Sequence, residues 1–105
     1  GERNMEIETN KIIKFYREKQ NLSVRDFSSA FNEKLINTGM SASMVSRLET
    51  KPYEPPLDLL FECIATYRND WRANLAVDCI RAMYPDLVDS GIITFQLPKI
   101  LEPTQ

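Results

Sequence analysis

The sequence predicts an all-α protein, five helices followed by a short extended segment near the C-terminus. Two observations predict it. Apolar residues recur at helical spacing in successive blocks, and Asn, Ser, Gly and Pro signals separate the blocks. Only one stretch, Ile92-Ile93-Thr94-Phe95-Gln96-Leu97 before Pro98, is β-branched and aromatic in the manner of a strand. With 105 residues, 43% hydrophobic and 27% charged, the composition is globular and suits one domain, 1–105, around a single core.

Residues 6–20 carry Ile7, Ile12, Ile13, Phe15 and Tyr16 among charges, an amphipathic helix with Thr9 or Asn10 as its cap. It ends at Lys19-Gln20-Asn21, where Asn takes the left-handed conformation. Ser23 caps helix two, with Asp26 three residues later. Phe27, Ala30 or Phe31, Leu35 and Ile36 then face inward, so helix two is expected to reach Asn37 and leave through Thr38-Gly39.

Residues 39–50 are the stretch around which the chain is organised. Gly39 is expected to take the positive φ that stops a helix. Ser41 caps the next helix, and Met40 and Val45 stand where a hydrophobic staple needs them. Val45 and Leu48 face inward. Ala42, Ser43, Ser46, Arg47 and Thr50 are left outside, a small polar face with one cation of the kind a DNA major groove admits.

Pro52-Tyr53-Glu54-Pro55-Pro56 stops this helix near Lys51. A fourth helix runs over 57–68 with Leu59, Leu60, Ile64 and Tyr67 or Cys63 inward. A fifth, capped by Asn69 or Asp70, runs to Met83 or Tyr84, with Trp71, Leu75, Ala76, Cys79, Ile80 and Met83 on one face. After Pro85, residues 85–91 have room for one more turn. The segment 92–97 has no partner strand, so it either lies across the helices or pairs with the same segment of a second chain.

Composition excludes several classes. With no histidine there is no Ser-His or Cys-His catalysis, and with only two cysteines a usual zinc site is not expected. Cys63 and Cys79 lie in apolar patterns and read as buried thiols, with a disulfide as the alternative. No Gly-rich phosphate loop, membrane span or signal-like N-terminus is present, so the expectation is a cytoplasmic protein that is not an enzyme and carries no cofactor. Net charge is −2, but residues 1–55 hold nine Lys/Arg against eight Asp/Glu and residues 56–105 four against seven. That balance implies few phosphate contacts rather than a basic glove.

From Ile13 to Leu60 the pattern resembles the lambda-repressor/Cro-like, or xenobiotic-response-element, helix-turn-helix family. The likeness rests on Arg17-Glu18-Lys19, Leu22-Ser23, Phe27-Ser28, Gly39-Met40-Ser41, Val45-Ser46-Arg47-Leu48-Glu49 and the run from Pro56 to Leu60. It implies a helix-turn-helix core over about 7–68, with helix five and the extended segment in 69–105. It also implies an ion pair between Arg17 and Glu49 as scaffold. Ser43, Met44, Ser46 and Arg47 are placed at or near the groove, with Arg47 the strongest contact. Ser41, Ser46 and Arg25 fall where phosphates are held, and Lys51 and Tyr53 follow them.

Two features depart from the family. Ten residues separate Ser28 from Gly39, so helix two is about two turns longer or the connection bulges. The family's glutamine after the helix-two cap is Val24 here. The expected function is a sequence-specific regulator on double-stranded DNA, acting as a homodimer. Ile92, Ile93, Phe95 and Leu97 are the candidate dimer residues. The alternative is an interaction module, an antitoxin or phage accessory protein that docks a partner through residues 92–101.

Overall fold

Six helices and no strand make up the described residues, 8–95, of the computed structural model. They are α1 (Glu8–Lys19), α2 (Val24–Asn32), α3 (Ala42–Thr50), α4 (Leu57–Tyr67), α5 (Trp71–Met83) and α6 (Pro85–Asp89). None is long and apolar enough to cross a membrane. The extra turn after Pro85 is α6, with the proline at its first position, where a missing N–H costs nothing.

α5 is the central helix, packed on α4 and α1, while α1 also packs on α3 and α3 on α2. The core draws on every long helix: Ile13, Phe27, Phe31, Val45, Leu48, Leu59, Leu60, Leu75 and Ile80 are all buried. Each such side chain contributes about 1.5–3 kcal/mol of transfer free energy. Phe27 stacks on Phe31 at 5.6 Å between centroids and meets Trp71 at 5.7 Å. Cys63 and Cys79 are free and buried. Burial pushes the Cys63 thiol up to about 12 and raises Cys79 as well, so both stay protonated at neutral pH.

The helix starts largely follow the sequence. Ser23 Oγ accepts the Asp26 N–H at 3.0 Å, Ser41 Oγ accepts that of Met44 at 3.1 Å, and Asp70 Oδ1 accepts that of Arg72 at 2.8 Å. Met40 and Val45 are buried in one cluster, as a staple requires. Asn21 ends the turn after α1 with φ +58°. Helix one is the exception: Thr9 and Asn10 lie inside α1 and are buried, so neither is its cap. Phe15, expected on the apolar side, is 57% exposed, with Lys19 Nζ 5.6 Å from its ring centre.

The end of helix two differs most from expectation. α2 stops at Asn32 rather than Asn37, and residues 33–41 form a loop. The physical cause is competition for its last carbonyls. Continuing the helix would send the Lys34 N–H to the Ala30 carbonyl and the Leu35 N–H to that of Phe31. Instead Arg72 Nη1 donates to the Ala30 carbonyl at 2.6 Å, and the Tyr67 hydroxyl donates to that of Phe31 at 2.5 Å. Tyr67 Oη in turn accepts the Lys34 N–H at 2.9 Å. Burial raises the Tyr67 hydroxyl, which keeps it a donor.

Gly39 is the second correction. Positive φ occurs at Asn21, Arg68 and Gly91 among the described residues, not at Gly39. Its glycine answers a close approach instead, because a Cβ there would lie 2.9 Å from Asn32 Oδ1. That amide is not free to move away: Oδ1 accepts the Met40 N–H at 2.8 Å and Nδ2 donates to the Met40 carbonyl at 2.7 Å. Ser28 Oγ donates to the same carbonyl at 2.6 Å.

Beyond α6 the described residues 92–95 form no strand. Gly91 turns the chain with φ +85°, and the Ile93 N–H donates to the Leu87 carbonyl at 3.0 Å. Of the extended segment 92–97, Gln96 and Leu97 lie outside the described residues, as do residues 98–101 of the alternative docking segment.

Candidate nucleic-acid interface

The candidate interface is the outer side of α3, and local sequence explains why that side is polar. Val45 and Leu48 are buried, which turns Ser43, Ser46, Arg47 and Thr50 into solvent at intervals of three, one and three residues. The Thr50 hydroxyl donates to the Ser46 carbonyl at 2.8 Å, leaving the Ser46 and Arg47 side chains facing outward. Ser43 Oγ lies 3.2 Å from Ser41 Oγ at the helix start.

The inner side of α3 is held by α1. Arg17 grips Glu49 through two parallel contacts, Nε to Oε2 at 2.6 Å and Nη2 to Oε1 at 3.0 Å. Its Nη1 also donates to the Leu22 carbonyl at 2.9 Å. The two side chains are only 16% and 6% exposed, and the hydrogen bonds that Arg17 donates to Glu49 raise it above its ordinary value against the opposing effect of burial. This is the pair the family resemblance implied.

Asn10 is a holding residue that sequence reasoning missed. At the end of α3 the Leu48 carbonyl would accept the N–H of residue 52, but residue 52 is Pro and has none. Asn10 Nδ2 fills that gap, donating to the Leu48 carbonyl and, at 2.9 Å, to the Lys51 carbonyl. A proline four residues after the last inward leucine was the available signal. It shows that a donor is needed, not where the donor comes from.

The remaining predicted residues divide. Arg25, Ser41, Ser43, Ser46, Arg47, Lys51 and Tyr53 are all exposed, on the first turn of α2, at the N-cap of α3, on α3 or just after it. Met44 is different: it is half-buried and packs against the core, so less of it is presented outward. Ile93 and Phe95, named as dimer candidates, also pack against the chain's own core, Phe95 with Arg81 over its ring at 5.7 Å. Ile92 is 73% exposed.

Chemically, this surface offers hydroxyls and one guanidinium on a helix, with Arg25 exposed on α2 and Lys51 exposed just after α3. It suits hydrogen bonding to an extended polar ligand with acceptor groups. Comparison with protein-family models, with curated proteins and with solved structures found no match to this chain.

Proposed function

We propose that the chain is a sequence-specific DNA-binding transcription regulator of the lambda-repressor/Cro-like kind, acting in the cytoplasm as a homodimer on a two-fold site. α3 is the recognition helix. Arg47 reads a base edge or holds a phosphate, and Ser43 and Ser46 add short contacts beside it, with Met44 a minor one. Arg25, Ser41, Lys51 and Tyr53 hold backbone. The observation that carries this reading is a small, polar, Arg-bearing stripe on a helix whose opposite side is pinned by Arg17–Glu49 and by Asn10. A helix held so firmly presents its outer side chains in fixed positions, which base readout needs.

Selection of bound duplexes from a random pool tests the reading, followed by fluorescence titration of the enriched site. One sequence should be enriched, and Arg47→Ala should weaken it by about 1–3 kcal/mol if a base is read. No enrichment, or no loss on Arg47→Ala, overturns the assigned face. The near-neutral charge and the 88% exposure of Ile36 favour a second reading, a protein-interaction module on the same helical frame. That reading expects no enriched duplex.

A further inference from the structure

The outward side of α4 has a symmetry that neither the fold nor the α3 surface uses. Asp58, Phe61 and Ala65 are exposed on α4 at intervals of three and four residues, and Arg68, the C-cap that follows with φ +44°, is exposed as well. An acid opens the stripe in the first turn and a base closes it at the C-cap. Its middle is apolar, with Phe61 49% exposed. The helix dipole accounts for the order of the two charges. It does not account for the uncovered phenylalanine between them.

The stripe is its own antiparallel complement. About a two-fold axis at the level of residue 63, Asp58 of one copy faces Arg68 of the other, and Phe61 faces Ala65, each pairing made twice. Ala65 leaves room for the opposing ring, large against small. Beside the stripe, Glu62 Oε2 accepts the Ile36 N–H at 3.0 Å and the Asn37 N–H at 3.2 Å. A tethered backbone thus holds an 88% exposed isoleucine near α4.

We propose that this side of α4 pairs with a second copy of the chain, antiparallel, through reciprocal Asp58–Arg68 ion pairs around a Phe61–Ala65 centre flanked by Ile36. It places the homodimer contact of the reading above on α4 rather than on residues 92–97, and it stands whether or not DNA is the ligand. One helix side and a loop make an interface below about 1,200 Å² in total, the size of weak, concentration-dependent association.

Sedimentation equilibrium of the full chain over a concentration series is the test. The wild type should move from monomer towards dimer mass. Asp58→Arg and Arg68→Asp should each remain monomeric where the wild type dimerises, because each sets like charges against each other twice. Mixed in equal amounts, the two variants should form a heterodimer, and the double swap should dimerise with itself. Phe61→Lys, a change at an exposed position, should abolish pairing with an unchanged circular-dichroism melt. A wild type that stays monomeric at the highest soluble concentration overturns the proposal, as do single swaps that pair normally or a mixture that fails to recover. The duplex selection reads DNA binding separately: pairing lost in the swaps with no enriched duplex sinks only the DNA reading, and enrichment by a chain that stays monomeric sinks this pairing and the homodimer part of that reading, while leaving DNA binding in place.

Discussion

Helices α2 and α3 start alike and end differently. Each begins at a serine whose hydroxyl accepts an N–H three residues on, Ser23 for α2 and Ser41 for α3. Their ends both draw on residues far away in sequence. α2 stops because Tyr67 and Arg72, about forty residues away in sequence, take its last carbonyls. α3 stops at a proline, and Asn10 from α1 satisfies the carbonyl that the proline leaves open. The starts belong to their own few residues, while the ends also need groups that tertiary packing brings near.

That contrast orders the expected losses. Arg17→Ala should cost most, about 3–5 kcal/mol in a thermal or denaturant melt, because it leaves the Glu49 carboxylate buried without its partner. Arg17→Lys should recover only part of this, since an ammonium cannot make the two parallel contacts. A loss below about 1 kcal/mol would mean the pair behaves as a surface ion pair and does not anchor α3.

Tyr67→Phe comes next. It removes a hydroxyl that serves the Phe31 carbonyl and the Lys34 N–H together, and should cost about 1–3 kcal/mol. Hydrogen exchange should quicken at Lys34 and leave α3 protected. Uniform exchange changes across the chain would show that the end of α2 is not a separate unit.

The local caps should matter less. Ser23→Ala and Ser41→Ala are expected to cost about 1 kcal/mol each. The two losses should add in the double variant, because each cap serves only its own helix. Strong non-additivity would contradict the independence of the starts.

The smallest expected effect is a pH dependence at Asp70. Burial pushes this carboxyl up, but its hydrogen bonds from Arg72 outweigh burial and hold it below its ordinary value. The sign follows: its stabilising contribution is present above the unfolded value, near ~3.9, and is lost as pH falls through the lower folded value. Asp70→Asn should therefore flatten the acid side of the stability profile and leave its slope above neutral pH unchanged.

Much of the α3 surface was legible beforehand. Val45 and Leu48 could only face inward, so the exposure of Ser43, Ser46 and Arg47 followed from helical period alone. The Arg17–Glu49 pair came from a resemblance to a family, not from spacing, since no local rule joins residues 32 positions apart in sequence. Met44, at the edge of the apolar stripe, is half-buried because part of its side chain packs against the core. Helix two was read too long because Leu35 and Ile36 continue its period, yet Leu35 is half-buried in a loop and Ile36 is 88% exposed.

The sequence by itself determined the all-α class, the caps at Ser23 and Ser41, a cap at Asn69 or Asp70, the turn at Asn21 and the polar stripe of α3. All of these depend on groups within one or two helical turns of each other. Only the tertiary structure decided where α2 ends, why residue 39 is glycine, and that Asn10 serves α3 rather than α1. A helix start finds its hydrogen-bond acceptors within three residues. The open carbonyls at a helix end accept from any donor that packing brings near, and which donor arrives depends on the whole chain.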